Sequence, residues 1–179
     1  MKEFLESDVP DFIQEKLFFT DRTNRKRAYI CSPLRADNPL GIYRNMNRAR
    51  DYMAYAVSKM NYSAYAPHAY LPLLLDDSIP DERRLALWFG LKLLELCDVM
   101  LVCGNILSEG MRNEITHAAK YGKIIYVFDS SLFREVKQLV EEADGDTQKV
   151  YTESEHPFLG SLMPDKKNDG LQPHLFLGG

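Results

Sequence analysis

The segment "DVMLVCGNILSEGMRNEITHAAKYGKIIYVFD", Asp98–Asp129, holds two short, almost wholly apolar runs, "DVMLVC" and "KIIYVFD". Runs of this length, rich in Val and Ile and bounded by Gly and polar residues, predict strands buried on both faces. Between them "GMRNEITHAAKYG" has helical spacing and closes on Gly122, the residue type that tolerates the left-handed conformation at a helix end. A buried strand, a helix and a second buried strand make a βαβ unit, which implies parallel pairing and a right-handed crossover.

The same alternation extends outward from this unit. Downstream, "SLFREVKQLVEEA" predicts an amphipathic helix. Upstream, "LALWFGLKLLELC" predicts a helix apolar nearly all round, expected to be buried on two sides or used at a subunit interface. Trp88 and Phe89 within it are expected as core or dimer contacts. The polar loop "LDDSIPDERR" precedes it, and before that "YSAYAP" predicts a second strand ending near His68. Ile42, Met46, Ala49, Met53, Ala56 or Val57, and Met60 keep helical spacing, and "RAYICS" (Arg27–Ser32) is a β-prone run ending in the turn-forming "SPLRADNPLG". The expected fold is therefore α/β, a three-layer Rossmann/flavodoxin-like sandwich around a mainly parallel sheet of about five strands. The alternation occupies residues 27–144, with 1–26 expected as an N-terminal extension and 145–179 as a C-terminal extension or tail.

Composition narrows the function classes. The 179 residues are 45% hydrophobic and 27% charged, ordinary for one globular domain. A net charge of −4 gives no general attraction for polymeric nucleic acid or an anionic membrane. The cluster Arg22, Arg25, Lys26 and Arg27 reads as a solvated strand flank. No apolar run reaches the roughly 18 residues a membrane span needs, and "MKEFLESDVPDF" is too acidic and too broken for a signal peptide. Cys31, Cys97 and Cys103 lack metal-type spacing and read as reduced core thiols of a cytoplasmic protein, with neither metal nor cofactor expected.

In open parallel sheets, ligands bind beyond the carboxyl ends of the strands, where strand order reverses. Three turns fall at that edge: "CSPLRAD", "APHAY" and "GNILSEGMRNE". In the last, Ser108, Gly110 and the first backbone N–H groups of the helix form an anion cradle, and Glu114 lies about one turn further on. The plainer alternative is that Ser108 caps the helix while Glu109 or Glu114 complements its dipole. His68, after Pro67 at a strand end, is a candidate either to hydrogen-bond a base or to act as an acid near neutral pH. A satisfied structural histidine is the alternative. His117, on the helix of Glu114, has no such support.

Ser-x-Gly-x-x-x-Glu followed by "ITHAAKYGK" and a strand resembles the nucleoside 2-deoxyribosyltransferase-like superfamily, which includes the deoxynucleoside 5′-monophosphate N-glycosidases. "YICSPLR" resembles the "YFCGSIR"-type opening of the nucleotide glycosidases, with Tyr29, Cys31 and Arg35 in matching places. The similarity spans about Arg27 to Asp129, and the sequence also looks close to an uncharacterised branch of that superfamily. It implies cleavage or exchange of the N-glycosidic bond of a (deoxy)nucleoside or nucleoside 5′-monophosphate, with Glu114 as nucleophile and Tyr29 orienting it. Ser32 and Arg35 would face the 5′-phosphate, Ser108 would meet it too, and the assembly would be a homodimer or higher homo-oligomer. That superfamily commonly carries an aspartate early in the helix before the central strand. "LALWFGLKLLELCD" has no carboxylate at its middle, which leaves Asp77, Asp81 and Glu82 upstream as substitutes. The alternative function is a non-catalytic nucleotide-binding or sensor module on the same fold.

Overall fold

The computed structural model describes residues 25–157. Residues 1–24 and 158–179, and with them most of both expected extensions, lie outside the described residues. Five strands, β1 (Arg27–Cys31), β2 (Ser63–Tyr65), β3 (Val99–Val102), β4 (Ile124–Val127) and β5 (Val150–Thr152), pair in the order β2-β1-β3-β4-β5. Every pairing is parallel. Among the described residues, four α-helices complete three layers: α1 (Pro39–Lys59), α2 (Pro80–Leu96), α3 (Glu109–Lys120) and α4 (Phe133–Glu142). This is the expected α/β sandwich, with the flavodoxin-like strand order.

The alternation of side chains along β1 divides the core. Ala28 and Ile30 pack with Ala49 and Ala56 of α1 on one face. Tyr29 and Cys31 point to the other face, against Leu94 of α2, Met111, Ile115 and Ala118 of α3, and Val136 and Val140 of α4. Small residues on α1 allow a close approach of helix to sheet, while α3 buries the i, i+4, i+7, i+8 stripe Met111, Ile115, Ala118, Ala119.

Local signals set the helix ends. Asn38 caps α1 by accepting from Gly41 N at 2.8 Å, with Pro39 next in line. Pro80 opens α2, well before the apolar run that announced it. Gly122, at φ +62°, ends α3 as its position suggested.

Three expectations need correction. The second strand stops at Tyr65, and Pro67–Ala69 forms a 3₁₀ turn because Pro67 cannot donate to the ladder. Helix α2 is not buried on two sides: Gly90 and Leu94 are its buried residues, while Leu85, Leu87, Trp88 and Leu96 are exposed, Trp88 by 58%. Trp88 and Phe89 are thus not core residues of this chain. The sheet also gains β5 from within the segment assigned to a C-terminal extension, pairing Val127 with Thr152. Among the described residues no helix is long and apolar enough to cross a membrane.

Candidate functional site

Strand order reverses between β1, whose chain crosses to β2 on one side, and β3 on the other. Their carboxyl ends therefore open the crevice where such sheets bind ligands. The two loops that leave it touch: Gly104, at φ +97°, lies so near the loop after β1 that a Cβ there would sit 3.0 Å from Pro33 Cδ. Both its conformation and its surroundings require glycine.

Glu114 stands on the second turn of α3, the helix that follows β3, and is half-buried. Tyr29, wholly buried on β1, donates its hydroxyl to Glu114 Oε1 at 2.8 Å across 85 residues of sequence. Burial pushes the Glu114 carboxyl up to about 7, while hydrogen bonds from Tyr29 and from Cys31 pull the other way by favouring the anion. Burial first, and then the Glu114 charge, raise the Tyr29 phenol well above its ordinary value, so it remains a donor at any physiological pH. The result is a carboxyl divided between its two forms near neutral pH, with one oxygen fixed by a phenol. Such a group can act as a nucleophile or exchange a proton.

Ser32 and His68 form a second pair beside the first. Ser32, buried at the end of β1, lies with its Oγ 2.8 Å from His68 Nε2. The 3₁₀ turn that carries His68 is tied down by Arg50 of α1, which donates to Ala69 O at 2.8 Å. Burial pulls the His68 imidazole down to about 4, so it is neutral at pH 7. Of its two expected roles, this favours a neutral hydrogen-bonding partner over an acid working near neutral pH.

Arg35 is exposed and stands 3.7 Å from Asp77, whose same Oδ2 also accepts from Arg83 at 3.1 Å. The acidic loop has other structural duties. Asp76 Oδ1 accepts from Ser78 N and Oγ, Glu82 Oε2 accepts from Asp76 N at 2.6 Å, and Asp81 pairs with Arg84. Neither Asp81 nor Glu82 is paired with Tyr29 or Glu114. Ser108 caps α3 by accepting from Met111 N at 3.3 Å, in line with its plainer reading. Gly110 is exposed, and a Cβ there would meet nothing nearer than Ser108 Oγ at 4.0 Å, so internal packing does not demand the glycine. Among the described residues no group of three or more His, Cys, Asp and Glu side chains is placed to hold a metal ion.

Two contributors escaped the sequence reading. Cys31, expected as a reduced core thiol and as part of the "YICSPLR" motif but given no role there, is buried and free and lies beside the start of α3 with Sγ 3.9 Å from Met111 O. Gly90 of α2 packs over the key hydroxyl: a Cβ there would lie 3.3 Å from Tyr29 Oη and 3.8 Å from Pro67 Cγ. A glycine inside an otherwise strongly apolar helix was the available signal, since it costs helix stability and implies close packing.

A parallel α/β sheet with a phenol-held carboxyl at its switch point defines the class of molecule. Residues 26–128, 103 of the 179, match the family described as "Domain of unknown function (DUF7768)", and the chain belongs to that family. No curated protein matches the chain.

Proposed function

We propose that the protein cleaves or exchanges the N-glycosidic bond of a (deoxy)nucleoside or nucleoside 5′-monophosphate, with the Glu114 carboxylate as nucleophile. The observation that carries this reading is the 2.8 Å Tyr29–Glu114 hydrogen bond between β1 and α3, on a carboxyl poised at about 7. The similarity of "YICSPLR" and "SEGMRNE" to the nucleoside 2-deoxyribosyltransferase-like superfamily supports it as well.

Breaking a C1′–N bond builds positive charge at C1′, which a nearby carboxylate stabilises or traps. In the first step a Glu114 oxygen bonds to C1′ as the C1′–N bond breaks; the base leaves with the electron pair and takes a proton from solvent. In the second, a water oxygen or an acceptor base attacks C1′ and gives up a proton to solvent, the ester C–O bond breaks, and Glu114 is returned as a carboxylate. Tyr29 holds one oxygen and so aims the other. Ser32 and neutral His68 offer hydroxyl and imidazole contacts to the sugar or base, and Arg35 offers a charge to the 5′-phosphate. A second subunit of the same chain, docked on the exposed apolar residues of α2, and a cytoplasmic setting for the reduced thiols belong to the same proposal.

One observation favours the alternative of a nucleotide-binding module: Asp81 and Glu82 are engaged elsewhere, so neither stands ready to protonate the leaving base. Incubation with a mixture of nucleosides and their 5′-monophosphates, followed by chromatography for free base, separates the two. Released base supports the enzyme. A raised melting temperature with nucleotides and no released base supports the binding module.

A further inference from the structure

Asp77 stands between two guanidinium groups on different elements. Arg35, in the loop after β1, and Arg83, in the first turns of α2, both reach its Oδ2, at 3.7 and 3.1 Å. The carboxylate is not there by chance placement of a floppy loop. Asp76 caps its own turn through Ser78, Ile79 N donates to Asp76 O at 3.0 Å, and Glu82 reaches back to Asp76 N. The turn that carries Asp77 is therefore tied together on both sides of it.

The place matters because of what α2 does further along. Arg83 and Gly90 are seven residues apart, so they lie two turns apart on one face of the helix, about 10 Å along its axis. At Gly90 that face meets the Tyr29 hydroxyl that holds Glu114. Arg83 thus lies on the same face of α2 as Gly90, two turns nearer the start of the helix. Two guanidinium groups converging on one oxygen present several N–H donors to a single anionic centre, the arrangement that suits a phosphate monoester better than a lone carboxylate. All three side chains are well exposed, 59% for Arg35, 62% for Asp77 and 38% for Arg83, so the internal pairs are weak and readily exchanged.

We infer that Arg35 and Arg83 form a clamp for the phosphate of a nucleoside 5′-monophosphate, and that Asp77 is its displaceable internal counter-ion. The inference rests on the proposed glycosidic reading for the identity of the rest of the ligand, but not for the anion itself. Asp77 then acts as a selectivity device: a dianionic phosphate outcompetes it for the two arginines, whereas an uncharged nucleoside gains nothing from them. This assigns Asp77 a task other than proton delivery and gives Arg83, rather than Ser108, the second place beside Arg35.

The test uses the full chain, titrated calorimetrically with inorganic phosphate, with the four 2′-deoxynucleoside 5′-monophosphates, and with the corresponding nucleosides. Arg83→Gln should weaken phosphate and monophosphate binding about tenfold and leave nucleosides unchanged. Asp77→Asn should tighten the same ligands by about threefold. Arg84→Gln removes the same charge one residue away, where the side chain pairs with Asp81, and should alter binding by less than about twofold. Absence of phosphate-dependent binding in the unaltered protein, equal weakening by Arg83→Gln and Arg84→Gln, or an Asp77→Asn protein that binds no better would each overturn the clamp. The glycosidic reading fails separately. Binding that follows this pattern without any release of base keeps the clamp and removes the cleavage; equal release from nucleosides and monophosphates, indifferent to Arg83→Gln, does the reverse.

Discussion

Glu114→Gln should make the protein more stable at pH 8 and leave it nearly unchanged at pH 4.5. Burial raises the Glu114 carboxyl from 4.5 to about 7, so between those values the folded chain holds a proton that the unfolded chain has released. The stabilisation from the protonated form is complete below about pH 4.5 and is lost as pH rises through about 7. At roughly 1.4 kcal/mol per pH unit the whole window amounts to about 3.5 kcal/mol. Solvent reaches the half-buried carboxyl, so about 1–3 kcal/mol is expected. Gln keeps the shape and an oxygen for the Tyr29 hydroxyl but carries no charge to bury. His68 shapes both curves. Its imidazole, lowered to about 4 by burial, contributes stability that is lost as pH falls from about 6.5 toward 4, the opposite slope. The variant retains His68, so the difference between the two proteins isolates Glu114. Urea unfolding of both at half-unit steps from pH 4.5 to 8 measures it. A difference that stays flat across this range would refute the claim that partial burial holds the Glu114 carboxyl near neutrality.

Two further predictions concern the groups around it. Tyr29→Phe removes a hydrogen bond to the carboxylate, worth about 1.5–3 kcal/mol for a charged acceptor, and should move the acid limb of any base-release profile up by about one pH unit; an unmoved limb with a lower plateau would mean that the phenol only packs. Gly90→Ala brings a methyl group to 3.3 Å from Tyr29 Oη, so it should lower activity at least about tenfold while helix propensity offsets part of any stability loss, as paired activity and unfolding measurements would show; equal activity would mean that Tyr29 has room to shift.

The parts legible in the sequence share one cause. Parallel strands buried on both faces become continuous apolar runs, so β1, β3 and β4 announce themselves, and the stripe Met111, Ile115, Ala118 does the same for α3. Strand β5 lacks that signature, being three residues at the sheet edge with Tyr151 and Thr152 only half-buried. Apolar residues on α2 invited a buried helix, because a sequence records hydrophobicity and not which side meets the sheet. Glu114 and Tyr29 could be singled out through their motifs, but their 2.8 Å contact depends on β1 lying beside β3 and on the crossover that places α3 over both. Short-range turn chemistry hid the fate of the acidic loop: Asp76 and Glu82 satisfy backbone donors, and Asp77 alone of them stands between Arg35 and Arg83. The glycine at 90 carried the one unused clue to where Tyr29 would be crowded.

The nucleophile can be caught directly. The full-length protein, mixed with a 2′-deoxynucleoside 5′-monophosphate, acid-quenched within a turnover and digested, is mapped by mass spectrometry. The account predicts a deoxyribose phosphate esterified to the peptide that contains Glu114, and none on the Glu114→Gln protein. Base released at the wild-type rate by Glu114→Gln, or an adduct on any other residue, would contradict it.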